Sequence, residues 1–179
     1  DALAAHVAAV TAAGEQGAGP GFTAALIGDG HLTYIYDGRP ADYPSLAEMT
    51  AEAVTLLSED PDGFFLMVEA GRIDHAAHAN DLARMVPEVL ELDAVVQLIV
   101  EDSALMRETV VIVTADHETG GLTVVQGNEA GELPTVTWST DYHTGVNVPL
   151  RAAGVAAQEF AGVDDNTEIF SVMAGLWGL

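Results

Sequence analysis

Apolar positions along the chain change their period several times, and each change marks an element. Leu46, Met49, Ala53 and Leu56 recur at helical spacing. The Ser45-Leu46-Ala47-Glu48 string before them is a capping box, in which Ser45 accepts from the third helical N–H and Glu48 reaches back. This predicts a helix from Ser45 to about Ser58. Phe64-Phe65-Leu66-Met67-Val68 is a continuous apolar run between Gly63 and Glu69, and Thr109 to Thr114 is a second. Both read as strands buried on two faces of a parallel sheet. Between them Leu82, Met85, Val89, Leu92, Val96 and Ile99 predict a helix over roughly Asp81 to Ser103, with a kink or late start at Pro87. Strand, helix, strand in that order is a βαβ unit.

Shorter signals fill in the rest. Thr23 to Ile27 reads as a strand followed by a turn at Gly28-Asp29-Gly30, and Leu122 to Val125 and Val146 to Leu150 read as two more strands. Thr167-Glu168-Ile169-Phe170 opens a final helix ending near Leu179. Residues 1–20 open Ala-rich and break at Gly14 to Pro20, as a connector or partial helix. No internal repeat is visible. The expected class is α/β with a mostly parallel central sheet, in one globular unit over residues 1–179.

Composition narrows the chemistry. There is no cysteine among the 179 residues, so any metal must sit on His and carboxylate. Twenty-eight Asp and Glu stand against five Arg and no Lys, for a net charge of -23, which disfavours nucleic acid and anionic membranes as partners. The acids are scattered, which reads as adaptation to high salt, where their repulsion is screened. No apolar run reaches the length of a membrane span, and the start has no basic region of a signal peptide. A start at Asp1 without Met reads as a processed or cut piece.

In open parallel sheets, ligands bind beyond the carboxyl ends of the strands. The first buried run leads into Glu69, Asp74, His75 and His78, and the second into Asp116 and His117. Asp74 and His78, four apart, share a face if their segment is helical. Carboxylate and imidazole at two neighbouring strand ends are donors that catalytic zinc accepts, and two clusters suggest two metals. Taken singly, each residue has a plainer reading: Asp74 and His78 as an ion pair or cap, Glu69 as a helix-start carboxylate, His143 as a loop histidine. Joint placement at strand ends shifts the balance.

Four strings in order carry a family resemblance. Val68-Glu69-Ala70-Gly71-Arg72-Ile73-Asp74-His75-Ala76-Ala77-His78 resembles the alkaline phosphatase signature V-E-G-x-x-I-D-x-x-x-H, and Thr114-Ala115-Asp116-His117 resembles that family's T-A-D-H element. His143-Thr144-Gly145 is similar to its H-T/A-G element, and Pro44 to Thr50 reads like a bacterial member. The resemblance, over about residues 22–179, implies the C-terminal portion of one catalytic domain, part of a three-layer α/β/α sandwich. It implies hydrolysis of phosphate monoesters with two Zn2+ and one Mg2+, in the periplasm or secreted. Asp74, His78 and His143 would hold the first zinc, Asp116 and His117 the second, and Glu69 the magnesium. His75 would either touch phosphate, directly or through water, or stand as a solvated helix residue. Two divalent metals roughly 4 Å apart can clamp the attacking and leaving oxygens of a phosphoryl displacement.

Several family parts are missing from these residues. The family's nucleophile is a Ser in a D-S-A element well upstream of the V-E-G signature. Asp102-Ser103-Ala104 is that triplet, but it precedes a strand and is followed by Leu105-Met106, so it is a decoy. The expected partners are therefore a phosphate monoester, an N-terminal half of the enzyme that supplies the serine, and a second copy in a homodimer when complete. The isolated chain should be nearly inactive. The alternatives are a phosphodiesterase or sulfatase of the wider group, or a non-catalytic metal-binding fragment.

Overall fold

The computed structural model describes residues 24–28 and 30–179; the expected connector over residues 1–20, with Thr23 and Asp29, lies outside them. The described residues cluster into two compact units, 24–95 with 119–143, and 96–118 with 144–179.

In the first unit, helix α1 (Leu46–Leu57) starts at the expected capping box: the Ser45 hydroxyl accepts from the Glu48 N–H, and the Ser45 N–H donates to Glu48. Helix α2 is Arg72–His78, about two turns that bury Ala76 and Ala77. Helix α3, Leu82–Glu101, begins before Pro87 and runs through it, so the late start expected there does not occur, and its residues 96–101 are counted in the second unit. A proline this far into a helix removes one backbone hydrogen bond and crowds the carbonyl four residues before it.

The loop over residues 30–45 is fastened to α3 by two carboxylates. Glu88, 3% exposed, accepts from the Ile35 N–H at 2.9 Å and lies 3.5 Å from Arg39. Glu91 takes both terminal nitrogens of Arg39 and accepts from the Leu46 N–H at 3.0 Å. A buried carboxylate persists only with such partners. Strands β3 (Thr123–Gln126) and β4 (Thr135–Thr137) pair antiparallel in this unit, close to where Leu122–Val125 was expected.

In the second unit, strand β1 (Val110–Val113) pairs antiparallel with β6 (Arg151–Gly154), Val110 opposite Gly154 and Val113 opposite Arg151. Two-residue strands β2 (Glu118–Thr119) and β5 (His143–Thr144) lie in sequence between them, each divided between the units, with Thr119 and His143 in the first. Helix α4, Asn166–Trp177, has a second capping box, from Asp165 and Glu168. Asp165 is fully exposed, and its carboxyl is held below the ordinary value by the Thr167 hydroxyl and N–H.

The structure departs from the sequence reading at the sheet. Phe64–Val68 belongs to none of the described ladders, and its exposure alternates: Phe65 is 57% and Met67 74% exposed, while Phe64, Leu66 and Val68 are half-buried. Period-two alternation is the mark of an extended segment packed on one face. A continuous apolar run shows that a segment tolerates burial; whether both faces are covered depends on its neighbours. Ala24–Ile27 and Val146–Leu150 are irregular, and the strand forms one step later, at Arg-Ala-Ala-Gly. That segment has weak strand propensity and becomes a strand through pairing with β1. The α/β class holds, and the described ladders β1–β6 and β3–β4 are antiparallel. No helix among the described residues is long and apolar enough to cross a membrane.

Candidate metal centre

Helix α2 sets Asp74 and His78 one turn apart on one face, and the loop entering β5 carries His143 to them. Asp74 Oδ1 lies 3.4 Å from His78 Nε2 and 3.8 Å from His143 Nε2, and the two imidazole nitrogens are 3.1 Å apart. The three donor atoms fall within 4.8 Å of one another. A zinc ion with bonds of about 2.0–2.1 Å spaces its tetrahedral ligands by about 3.3 Å, so the three atoms stand close to the corners of one such face. The donor chemistry agrees. His78 Nδ1 lies 2.7 Å from the Asp141 carbonyl oxygen, which can only accept; Nδ1 therefore carries the proton, and Nε2 turns a lone pair to the cluster.

Surrounding groups hold these ligands in place. The Thr119 hydroxyl donates to Asp74 Oδ1 at 2.7 Å. Tyr142 stacks on His143, with ring centroids 5.0 Å apart. Gly120 ties the pieces together: its N–H donates to Tyr142 O at 2.9 Å, and its carbonyl accepts from Ser139 and Thr140 at 3.0 and 3.2 Å. Its φ of +93° and the Trp138 ring 2.5 Å from where a Cβ would sit leave only glycine acceptable. Sequence reasoning missed Thr119 and Gly120; the signal available was the Thr-Gly-Gly string directly after Asp116-His117-Glu118, where a glycine pair marks a tight turn.

The remaining expected site residues are placed as follows. Asp116 and His117 are neighbours in the second unit, His117 Nε2 3.1 Å from Asp116 Oδ2, with the Asp116 side chain 86% exposed. In that unit the Thr144 hydroxyl also donates to the Glu118 carboxylate. Glu69 is exposed at the end of the extended run, its Oε1 3.2 Å from where a Cβ of Gly71 would stand. His75 follows Asp74 on α2 and receives a hydrogen bond from Arg72 at 3.2 Å. Asp102-Ser103-Ala104 forms the turn into a short 3-10 helix, Asp102 accepting from the Ala104 and Leu105 N–H groups. That local role accounts for the triplet.

Similarity to known proteins runs through the same residues. The family model for alkaline phosphatase matches residues 21–135, more than half of the chain. Alkaline phosphatase H of Pseudomonas aeruginosa is 35% identical over 148 residues, covering 74% of this chain and 31% of that protein. The alkaline phosphatase of Escherichia fergusonii is 30% identical over 213 residues, covering 98% of this chain and 44% of its own length. Among solved structures, alkaline phosphatase of the Antarctic bacterium TAB5, in a mutant form with Mg bound in its M3 site, superposes with a TM-score of 0.67 at 32% identity, over 74% of this chain and 41% of that one. The chain thus spans less than half the length of these relatives. The family model runs through Glu69, Asp74, His78, Asp116 and His117, and the likeness extends from sequence to backbone. The chain belongs to the alkaline phosphatase family.

Proposed function

We propose that the protein acts in the hydrolysis of phosphate monoesters at a zinc centre held by Asp74, His78 and His143. The observation that carries this is the convergence of their three donor atoms within 4.8 Å, with the His78 lone pair aimed inward. Asp116 and His117 serve as ligands of a second Zn2+ and Glu69 as a ligand of Mg2+, on the strength of the family strings they occupy. When bound, the metals supply Lewis acidity toward phosphoryl oxygens and lower the pKa of a bound water.

The chain's own side chains have defined tasks in this reading. Asp74 brings a negative charge that favours a cation in a cluster otherwise built of neutral imidazoles. His78 donates its Nδ1 proton to Asp141 O, which keeps Nε2 free for coordination. Thr119 orients the Asp74 carboxylate. The serine nucleophile comes from outside these 179 residues, in a segment equivalent to the N-terminal half of the longer relatives. The exposed Phe65 and Met67 on an extended segment support such a covering segment, which would extend the antiparallel pairs into a mostly parallel central sheet of an α/β/α sandwich. The complete enzyme is a homodimer, resides in the periplasm or is secreted, and works in high salt, as a net charge of -23 without Lys suits.

Intact mass under denaturing conditions, zinc content and hydrolysis of a chromogenic phosphate ester in molar salt test the reading together. About two zincs per active unit and turnover with the monoester are expected. Protein that holds no zinc and turns over no ester overturns it; turnover confined to a diester or sulfate ester moves it to the wider group of related hydrolases.

A further inference from the structure

Helix α2 ends in a Schellman motif: the Asn80 N–H donates to Ala77 O and the Asp81 N–H to Ala76 O, both at 2.9 Å. The residue that turns the chain there enters the left-handed region, and glycine is the usual choice because it has no Cβ to strain. Asn80 takes the turn instead, with a φ of +53°. What it adds over glycine is a carboxamide, whose nitrogen lies 3.0 Å from both Thr140 O and Ala77 O. Carbonyl oxygens only accept, so it is the NH2 that faces them, with a donor for each. Aspartate tolerates the same backbone but has no donor when ionised, and glycine has no side chain. Thr140 is held at three polar atoms: its carbonyl by Asn80, its N–H on Gly120 O at 3.2 Å, and its hydroxyl accepting from the Tyr142 N–H at 3.1 Å. The chain next carries Asp141, whose carbonyl meets His78 Nδ1 at 2.7 Å, and then His143, whose Nε2 stands 3.1 Å from His78 Nε2. One amide therefore joins the end of the helix that bears Asp74 and His78 to the loop that delivers His143.

We propose that Asn80 is a positioning residue for the metal centre: through Thr140 it holds the Asp141 carbonyl on His78 and sets the spacing of the two imidazole donors. Holding residues 140–143 in place before an ion arrives lowers the ordering cost of binding. Fixing the acceptor of the His78 Nδ1 proton keeps Nε2 unprotonated toward the ion. Helix capping alone is the competing explanation, and glycine separates the two, because it keeps the left-handed turn and loses the amide. The proposal rests on the zinc-centre reading for its ligand, and on the Asn80 to Thr140 geometry for its mechanism.

The test compares the parent with Asn80→Gly and Asn80→Ala in the full protein. Zinc competition by a chromogenic chelator should show affinity about 10-fold lower in both variants, as when a supporting partner of a metal ligand is lost. Asn80→Ala should also melt below Asn80→Gly, since alanine alone of the two strains the turn. Cobalt(II) bound in place of zinc reads the geometry, and the visible bands of the parent's complex should shift or weaken in Asn80→Gly. If Asn80→Gly binds zinc as tightly as the parent and only Asn80→Ala is impaired, capping is the whole role and the proposal is overturned. Two-bond 1H–15N spectra of the metal-free protein at about pH 8, where an ordinary imidazole is neutral, supply a readout without zinc. His78 should show a protonated Nδ1 and an unprotonated Nε2 in the parent, and a more averaged pair in Asn80→Gly. A His78 pattern that is the same in both proteins also overturns the proposal. A parent that takes up no zinc refutes the zinc-centre reading, while the metal-free spectrum still judges Asn80.

Discussion

Replacing Gly120 by alanine tests whether the turn after β2 is what brings the ligand segments together. Its φ of +93° is one that a side chain strains to adopt, at about 1–2 kcal/mol. The new Cβ would stand 2.5 and 2.6 Å from Cε3 and Cζ3 of Trp138 and 3.2 Å from the Ala77 carbonyl oxygen, so an indole and a helix backbone must both yield. Forcing one methyl into packed surroundings of this kind costs about 1–3 kcal/mol. The sum, about 2–5 kcal/mol, lowers the melting temperature of a chain this long by roughly 4–20 °C. The same displacement reaches the metal centre, because Trp138 leads into the Ser139–Tyr142 loop before His143 and Ala77 precedes His78. Zinc affinity should fall about 10-fold or more, as for lost support of metal ligands elsewhere. Gly131→Ala is the control: its φ is +91° with nothing within 4 Å of the added Cβ, so it carries the strain alone. Thermal melts and zinc competition by a chromogenic chelator compare the three proteins. If Gly120→Ala melts no lower than Gly131→Ala and holds zinc equally well, the packing argument is wrong.

Four other perturbations separate local effects. Thr119→Val removes the 2.7 Å hydroxyl donor to Asp74 Oδ1 at nearly constant volume, so zinc affinity should drop about 10–100-fold in competition assays, with far-UV circular dichroism unchanged. Arg39→Met strips the cation from Glu88 and Glu91 and should cost about 3–5 kcal/mol in urea unfolding, whereas Arg107→Met, on an exposed side chain, should fall within about 0.5 kcal/mol of the parent. At the α1 cap, Ser45→Ala should cost about 1 kcal/mol at neutral pH. There the Ser45 N–H and then its hydroxyl hold the exposed Glu48 carboxyl below its ordinary value, so that contribution is complete above the ordinary carboxyl range and is lost as pH falls through the lowered one. The stability gap between parent and Glu48→Gln should therefore close below about pH 4, and a gap that widens with acid would show the sign to be wrong.

The sequence by itself determined whatever depends on neighbours within about one helical turn. Ser45 and Glu48 specified the start of α1, and the apolar spacing from Leu82 to Ile99 specified α3, because capping and helical periodicity are local. The pairing of Asp74 with His78 was legible for the same reason. That His143, 65 residues beyond His78, joins them was implied by the family resemblance and by no local spacing; how it is brought there only the tertiary structure decided, since the Gly120 turn and the Asp141 carbonyl act across the chain. The sheet was least legible. Strand character in Phe64–Val68 and Arg151–Gly154 is set by the partner each segment finds: the apolar run lies outside the described ladders, and the weak strand former is held by β1. Arg72 shows the same division within one residue: its place beside Asp74 follows from sequence, whereas the turn of its charge onto Tyr34 and His75 follows from a ring 38 positions earlier that only folding brings within reach.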